Sequence, residues 1–355
     1  MNAPTLSPRP DFAGAPLSDA AAWDAYVAAH PQATPFHSRA WCEAITRATG
    51  HRCHLITARD ANGVLTGLLP LHHVRSPLFG QALVGSGFAV DGGLLADDPA
   101  VAATLAEGAA AMAASLGVPS VELRGGAVPA GTGWTREEGV YAGFARDLAA
   151  DDEAELLAIP RKQRAEVRKA LAGGLAVTTG RDPAARAAHY AAYSESVRNL
   201  GTPVFPKALF AEVLDAFGDD ADILSVHNDG AVVASVLSLY WRGSVMPYWG
   251  GGTFAARGLR ANELMYYALM RHARGRGCTR FDFGRSKLGT GPFAYKKNWG
   301  FEPEPRVYAR WLAPGECPRD TNPNSARYRL QVDLWKKLPL WAANRVGPLI
   351  ARGLG

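Results

Sequence analysis

Apolar positions recurring every second or every third to fourth residue divide the chain into short strands and helices. Residues 55–58 read as a strand, and 64–74 as the strand that returns from it. Asp60-Ala61-Asn62-Gly63 makes the turn between them, because Asn-Gly tolerates positive φ. A third strand is expected over 81–88 and an alanine-rich helix over 99–116. Asp97 and Asp98 stand at its start, where acids suit the helix dipole. A strand over 118–124 follows Gly117. The order then returns. Residues 223–227 and 231–241 read as strands around the turn Asn228-Asp229-Gly230, and Arg242-Gly243 leads into a strand over 244–249. In the helix expected over 262–274, Met265, Ala268, Leu269, His272 and Ala273 share one face. Gly275 and Gly277 end it, and 278–283 is the next strand. Two helices precede each hairpin: 18–29 and 38–48, then 183–200 and 207–217.

The repeat reaches single residues. Asn62-Gly63 matches Asp229-Gly230, and Ser120-Val-Glu-Leu-Arg-Gly125 matches Arg280-Phe-Asp-Phe-Gly-Arg285. The unit is helices, an antiparallel meander, a helix, then a strand. That order resembles the acetyltransferase fold, in which a splayed sheet lets an acyl donor insert between strands. The expected fold class is α/β: two tandem acetyltransferase-like (GNAT) domains with mixed, mainly antiparallel sheets flanked by helices. The expected divisions are a disordered leader over 1–16, domains over 17–150 and 151–313, and a basic amphipathic helical tail over 314–355.

Composition narrows the class. A chain of 355 residues with 48% apolar content is long enough for about two real cores. No stretch approaches the ~18–20 apolar residues of a spanning helix. The Pro-, Ala- and Ser-rich start lacks a basic segment followed by an apolar run, so no signal peptide is expected. The four cysteines (Cys42, Cys53, Cys278, Cys317) form no Cys-x-x-Cys pair, so neither a metal site nor a disulfide framework is expected and the compartment reads as cytoplasm. The net charge of +5 is concentrated. Residues 324–355 carry six bases and one acid, 6 − 1 = +5, so the remainder sums to zero. That excludes a general nucleic-acid surface and leaves no expectation of DNA.

The chemistry concentrates between Asp282 and Gly300. Asp282-Phe283-Gly284-Arg285-Ser286 ends a strand, a glycine-rich loop Gly289-Thr290-Gly291-Pro292 follows, and then Phe293-Ala294-Tyr295-Lys296-Lys297-Asn298-Trp299-Gly300. Strand ends followed by loops are where sites sit on α/β sheets. From spacing alone Lys296 reads either as a surface lysine on a loop or as a desolvated cation facing a developing oxyanion. Tyr248-Trp249-Gly250-Gly251-Gly252 reads either as a wall of the acyl pocket or as a bulge and turn. Arg161, Arg164 and Arg168 share a face of a basic helix, which is either an anion site or a solvated face.

The run from Asn262 to Gly300 resembles the Fem family of aminoacyl and acyl transferases. Its marks are an Asn-led helix, a strand ending in Asp-Phe-Gly, and an aromatic-Lys-x-x-aromatic-Gly signature, here Tyr295-Lys296-Lys297-Asn298-Trp299-Gly300. The basic stretch 161–170 and Phe36-His37-Ser38-Arg39-Ala40-Trp41 resemble two further family elements. The Asp-Phe-Gly-Arg-Ser stretch and the tail are most similar to the subgroup associated with exopolysaccharide and PEP-CTERM/exosortase loci. This resemblance implies Lys296 as a catalytic residue that stabilises the tetrahedral intermediate, with Asp282 orienting it or pinning the next turn. It implies substrate contacts from His37, Ser38, Asn262, Arg285, Ser286 and Tyr295, while the residues themselves suggest an acyl-pocket wall from Tyr248 and Trp249 and phosphate binding by the side chains of Arg257 and Arg260. No nucleophile motif is present, so direct attack by the acceptor on an activated acyl donor is the simpler mechanism. Two departures leave the donor open between acyl-CoA and aminoacyl-tRNA. No heptad run marks the coiled-coil insertion common in tRNA-using members, and Arg260 stands where CoA enzymes carry glycine.

The expected acceptor is an amine or hydroxyl of a cell-envelope or exopolysaccharide precursor. Two alternatives are a CoA-dependent sugar acyltransferase and a non-catalytic binding module for such precursors. The tail places Leu334, Trp335, Leu338, Trp341, Val346 and Leu349 among its bases, with Pro339 and Pro348 breaking it. It reads either as helices docked on the second domain or as a peripheral contact with the inner face of the membrane.

Overall fold

The computed structural model describes residues 5–9, 17–127, 129, 133–319 and 329–355. The elements in chain order are β1 Thr5–Arg9, α1 Leu17–Ala29, α2 Arg39–Thr49, β2 Cys53–Arg59, β3 Leu65–Ser76, β4 Gly80–Gly85, β5 Leu95–Ala96, α3 Pro99–Ser115, β6 Ser120–Arg124 and β7 Trp134–Asp147. They continue with α4 Asp152–Ala158, α5 Arg161–Leu171, β8 Ala176–Gly180, α6 Pro183–Leu200, α7 Lys207–Phe217, β9 Ala221–Asn228, β10 Ala231–Trp241, β11 Ser244–Gly252, α8 Ala256–Leu259 and α9 Ala261–Gly275. Last come β12 Arg280–Lys287, α10 Gly291–Asn298, β13 Pro303–Leu312, α11 Arg329–Lys337 and α12 Leu340–Ala351.

These elements form two compact units. The first is Met1–Gly139, Arg306–Thr321 and Leu349–Gly355, and the second is Val140–Pro305 and Asn322–Pro348. The expected divisions fall at 150/151 and 313/314; the two units divide within β7, within β13, at 321/322 and within α12.

In the first unit β2, β3 and β4 form an antiparallel meander, α3 crosses, and β6 runs parallel to β4. Asp60 Oδ1 accepts from the amides of Asn62 and Val64, which closes the first hairpin. Asp98 caps α3 by accepting from Ala100 and Val101, and Pro99 opens it with φ already set. The core joins Ile56, Leu69, Leu71 and Leu83 to Leu105, Val121 and Leu123. Each such buried side chain contributes roughly 1.5–3 kcal/mol. Residues 308–312 of β13 pair with the free edge of β6. Part of the expected leader is corrected: Thr5–Arg9 forms β1, antiparallel to β2, while 1–4 and 10–16 lie outside the described residues.

The second unit repeats the plan. β9, β10 and β11 form the meander, α9 crosses, and β12 runs parallel to β11. Asp182 and Pro183 open α6 by the same device as α3. The core joins Val226 and Val236 to Met265, Leu269, Phe281, Trp299 and Phe301. β8 extends the β9 edge, and residues 141–147 of β7 pair with the outer edge of β12.

Two expectations about local structure are corrected. The signature 295–300 is not on a loop: Thr290 and Pro292 start α10, and Gly300 at φ 81 follows its end. Pro348 does not break the tail, because α12 runs through it. A proline crowds the Cβ of the residue before it, and that residue is Gly347, which has none. Among the described residues no helix is long and apolar enough to cross a membrane, and no three His, Cys, Asp or Glu side chains gather as a metal site.

Candidate active site

The site begins with a split in the sheet of the second unit. β11 and β12 pair only at Ser244↔Arg280 and Val245↔Phe281. β11 stays on β10 up to Ala234↔Gly252, while β12 follows β7 on its other side. A gap therefore opens between residues 246–252 and 282–287. Where it opens, the β12–β7 register slips between Asp282 and Arg285. Gly284 there takes φ 69, a left-handed conformation that favours glycine. Asp282 Oδ1 accepts from the Gly284 amide at 2.8 Å, so its carboxylate pins the bulge.

Lys296 reaches this bulge from α10. Its Nζ donates to the Arg285 carbonyl at 2.9 Å. The ammonium lies 5.6 Å from the centre of the Phe144 ring and 5.3 Å from that of Phe283. Burial pushes the Lys296 amine down to about 7, against the carboxylate of Asp282, which raises it, and with the guanidinium of Arg285, which lowers it. Protonated and neutral forms are thus both well populated near neutrality. Tyr266 packs edge to face on Phe283 and Trp299, Tyr295 lies tilted against Trp299, and Trp299 is fully buried. Burial, with Glu263 and Tyr266 adding to it, holds the Tyr295 phenol well above its usual range.

The other predicted residues fall into distinct places. Arg285 stacks on Tyr141 at 4.4 Å, and Ser286 is buried with an Oγ that finds no hydrogen-bond partner among the described residues. Asn262 stands in the first turn of α9, and its Oδ1 is likewise buried and without such a partner. That oxygen is 2.8 Å from where a Cβ on Gly252 would stand, so the glycine at the end of β11 makes its room. Trp249 packs into the core against Phe210 at 5.0 Å, and Tyr248 lies against it. Arg257 is exposed on α8. Arg260, left-handed at φ 56, pairs with Glu166 of α5, which also binds Lys169. Arg164 donates to the carbonyls of Ile159 and Leu157 at the end of α4, whereas Arg161 and Arg168 are exposed. Asp282, Arg285, Tyr295 and Lys296 are therefore brought together, and α5 joins Arg260 through Glu166.

His37 and Ser38 belong to the first unit. Ser38 caps α2 by accepting from the Trp41 amide. His37 is buried, and burial lowers it to about 4. Its Nδ1 accepts from Thr34 N at 3.0 Å, and its Nε2 donates to Gly93 O at 3.0 Å. The loop it holds fills this unit's own split. β4 and β6 pair only at Leu83↔Val121 and Val84↔Glu122, after which residues 91–94 lie in the gap. A Cβ on Gly93 would stand 1.8 Å from Gly125 O, and one on Gly126 2.6 Å from Leu94 O. In the second unit a Cβ on Gly284 would meet nothing within 4 Å. Two equivalent splits thus differ: one is packed with its own backbone and the other has room at its bulge.

Residues 160–297 match the acetyltransferase (GNAT) domain family. This span contains the split, Asp282 and Lys296. Solved structures extend the likeness over more than four fifths of the chain. FemX is 16% identical with a TM-score of 0.63, covering 83% of this chain and 96% of its own. A tandem GNAT protein from the clavulanic acid biosynthesis pathway is 15% identical with a TM-score of 0.53, covering 88% and 100%. The C-terminal domain of a putative lysylphosphatidylglycerol synthetase from Agrobacterium fabrum is 13% identical with a TM-score of 0.51, covering 82% and 91%. At these identities the likenesses establish the fold. No curated protein matches the sequence.

Phe144, Tyr266 and Glu263 are not singled out by the sequence, and Phe283 enters only as part of the Asp-Phe-Gly motif. Tyr266 carried a signal, since it lies one turn after Asn262 on α9. Phe144 carried none, because β7 was not anticipated. Asp282→Asn separates the two roles of Asp282: the amide oxygen still accepts from Gly284, but the charge is gone. Any pH limb set by Lys296 is expected to move to lower pH in this variant, measured as a rate profile.

Proposed function

We propose that the protein is a GNAT-type acyltransferase that moves an aminoacyl or acyl group onto an amine or hydroxyl of a cell-envelope or exopolysaccharide precursor. The observation that carries this reading is the open split between β11 and β12, with the Lys296 amine bonded at its edge to the Arg285 carbonyl. The thioester or ester of an activated donor, acyl-CoA or aminoacyl-tRNA, lies in the split. Asn262 Oδ1 offers an acceptor to its N–H groups, and Arg257, Arg161 and Arg168 offer charge to its phosphates. The acceptor nitrogen or oxygen attacks the acyl carbon directly in a ternary complex. As the new bond forms, the carbonyl electrons move onto oxygen, and protonated Lys296 donates to that oxyanion. Collapse expels the thiolate or ribose oxygen, which takes up the proton released by the acceptor. Similarity of the Asp282–Ser286 stretch to the exopolysaccharide and PEP-CTERM subgroup supports a glycan-related acceptor.

The test is incubation with a panel of acyl-CoAs and aminoacyl-tRNAs plus a lipid-linked glycan extract, read by mass spectrometry. A mass gain equal to one acyl group on an extract component, dependent on one donor class, is expected. Binding of extract components with no transfer from any donor would replace the enzyme by a binding module.

A further inference from the structure

The tail carries a feature that transfer chemistry does not use. One side of it is fastened. Ala343 is 2% exposed, and a Cβ on Gly347 would stand 3.0 Å from the Val204 amide nitrogen. Asn344 donates to Ser194 Oγ at 3.2 Å, and Arg198 donates to the Lys336 carbonyl at 3.3 Å. Gly201 leaves room for Val332, which would stand 2.5 Å from a Cβ there. The small inward residues bring the helices close, so neither can roll over to bury its outer side.

That outer side is apolar and basic at once. Leu334 is 66% exposed, Trp341 74%, Val346 44% and Leu349 75%. Lys337 and Arg345 are exposed among them. Trp341, Arg345 and Leu349 follow at intervals of four residues and so share one stripe of α12. Exposed tryptophan and leucine of this kind mark a surface that meets something.

We propose that this outward face of α11 and α12 docks on an anionic lipid surface. Charge decides the occupant. The only acid between residues 324 and 355 is Asp333, and it is 3.6 Å from Lys336. A second copy of the same face would bring cations against cations. A protein partner would have to match each interleaved base with an acid, and lysine is depleted in such interfaces. Anionic headgroups meet all the bases without a fixed register, while Trp341 sits at headgroup level and the leucines below it. Long basic side chains extend outward from such a face and keep their charge in water. The proposal stands independently of the chemistry at Lys296.

The test is flotation of the full-length protein with vesicles of phosphatidylcholine alone and of an equimolar mixture with phosphatidylglycerol. Binding to the anionic vesicles only, and its release by high salt, is expected. Trp341→Ser and Arg345→Glu should each lower the partition coefficient about tenfold. Leu157→Ser, which changes an exposed leucine on α4, should leave it unchanged. Circular dichroism and thermal unfolding check that each variant is folded. Equal binding of wild type and both tail variants overturns the proposal, as does wild-type protein that fails to float with anionic vesicles. A concentration-dependent sedimentation coefficient that Trp341→Ser abolishes, without vesicle binding, would assign the face to a second copy instead.

Discussion

Lys296→Met is expected to lower the transfer rate about 100- to 1,000-fold, the usual cost of removing one oxyanion donor, and at the same time to make the protein more stable at neutral pH. The two effects have one cause. The amine sits between Phe144 and Phe283, and burial brings it from an ordinary 10.5 down to about 7. Between those values the unfolded chain binds more protons than the folded one. Stability therefore rises with pH across that window, and at pH 7 and below the charged lysine works against folding. Methionine fills the same slot without a charge and adapts to irregular space. The lost bond to the Arg285 carbonyl costs about 1 kcal/mol, less than the relief of burying an ammonium, so a net gain on the order of 1–3 kcal/mol is expected. Urea unfolding at pH 7 and at pH 10 measures it: wild type should gain stability with pH across this interval, and the variant should gain less. A variant less stable than wild type at pH 7, or one that still transfers, would remove Lys296 from its assigned role.

That lysine was legible as a candidate, but its environment was not. Tyr295, Lys296 and Trp299 announce themselves by local spacing, and Asp282 with Gly284 is a local device readable within three residues. Phe144 comes from β7, whose first half reads Arg136-Glu137-Glu138-Gly139 and hides the strand. β8 is exposed on nearly every residue and shows no apolar face, and β13 begins Pro303-Glu304-Pro305, which hides where that strand starts. By contrast α6, α7 and β10 begin and end where the pattern placed them, since Asp182-Pro183 opens α6 and Asp229-Gly230 precedes β10. The pairing of residues 308–312 with β6 is long-range, and nothing local in either strand encodes it.

Gly93→Ala is expected to cost more than about 3 kcal/mol, the range reserved for severe core disruption, whereas Gly284→Ala should cost only about 1–2 kcal/mol. The glycines stand at equivalent splits but under opposite constraints. A methyl on Gly93 would meet the Gly125 carbonyl oxygen at 1.8 Å and its carbon at 2.7 Å. Both are backbone, so relief requires moving the loop that His37 and Thr34 hold to its carbonyls. At Gly284 the space is open, and the cost is the left-handed φ of 69 alone. Equal costs in denaturant titrations would mean that the first split is as open as the second. The difference has a functional consequence. A split filled by its own backbone has no volume for an acyl donor, so each chain should bind one equivalent of whichever donor the panel identifies, measured by titration calorimetry. Two equivalents per chain would require the Gly93 loop to leave its place, and wild-type protein would then have to lose the His37 and Thr34 bonds on binding.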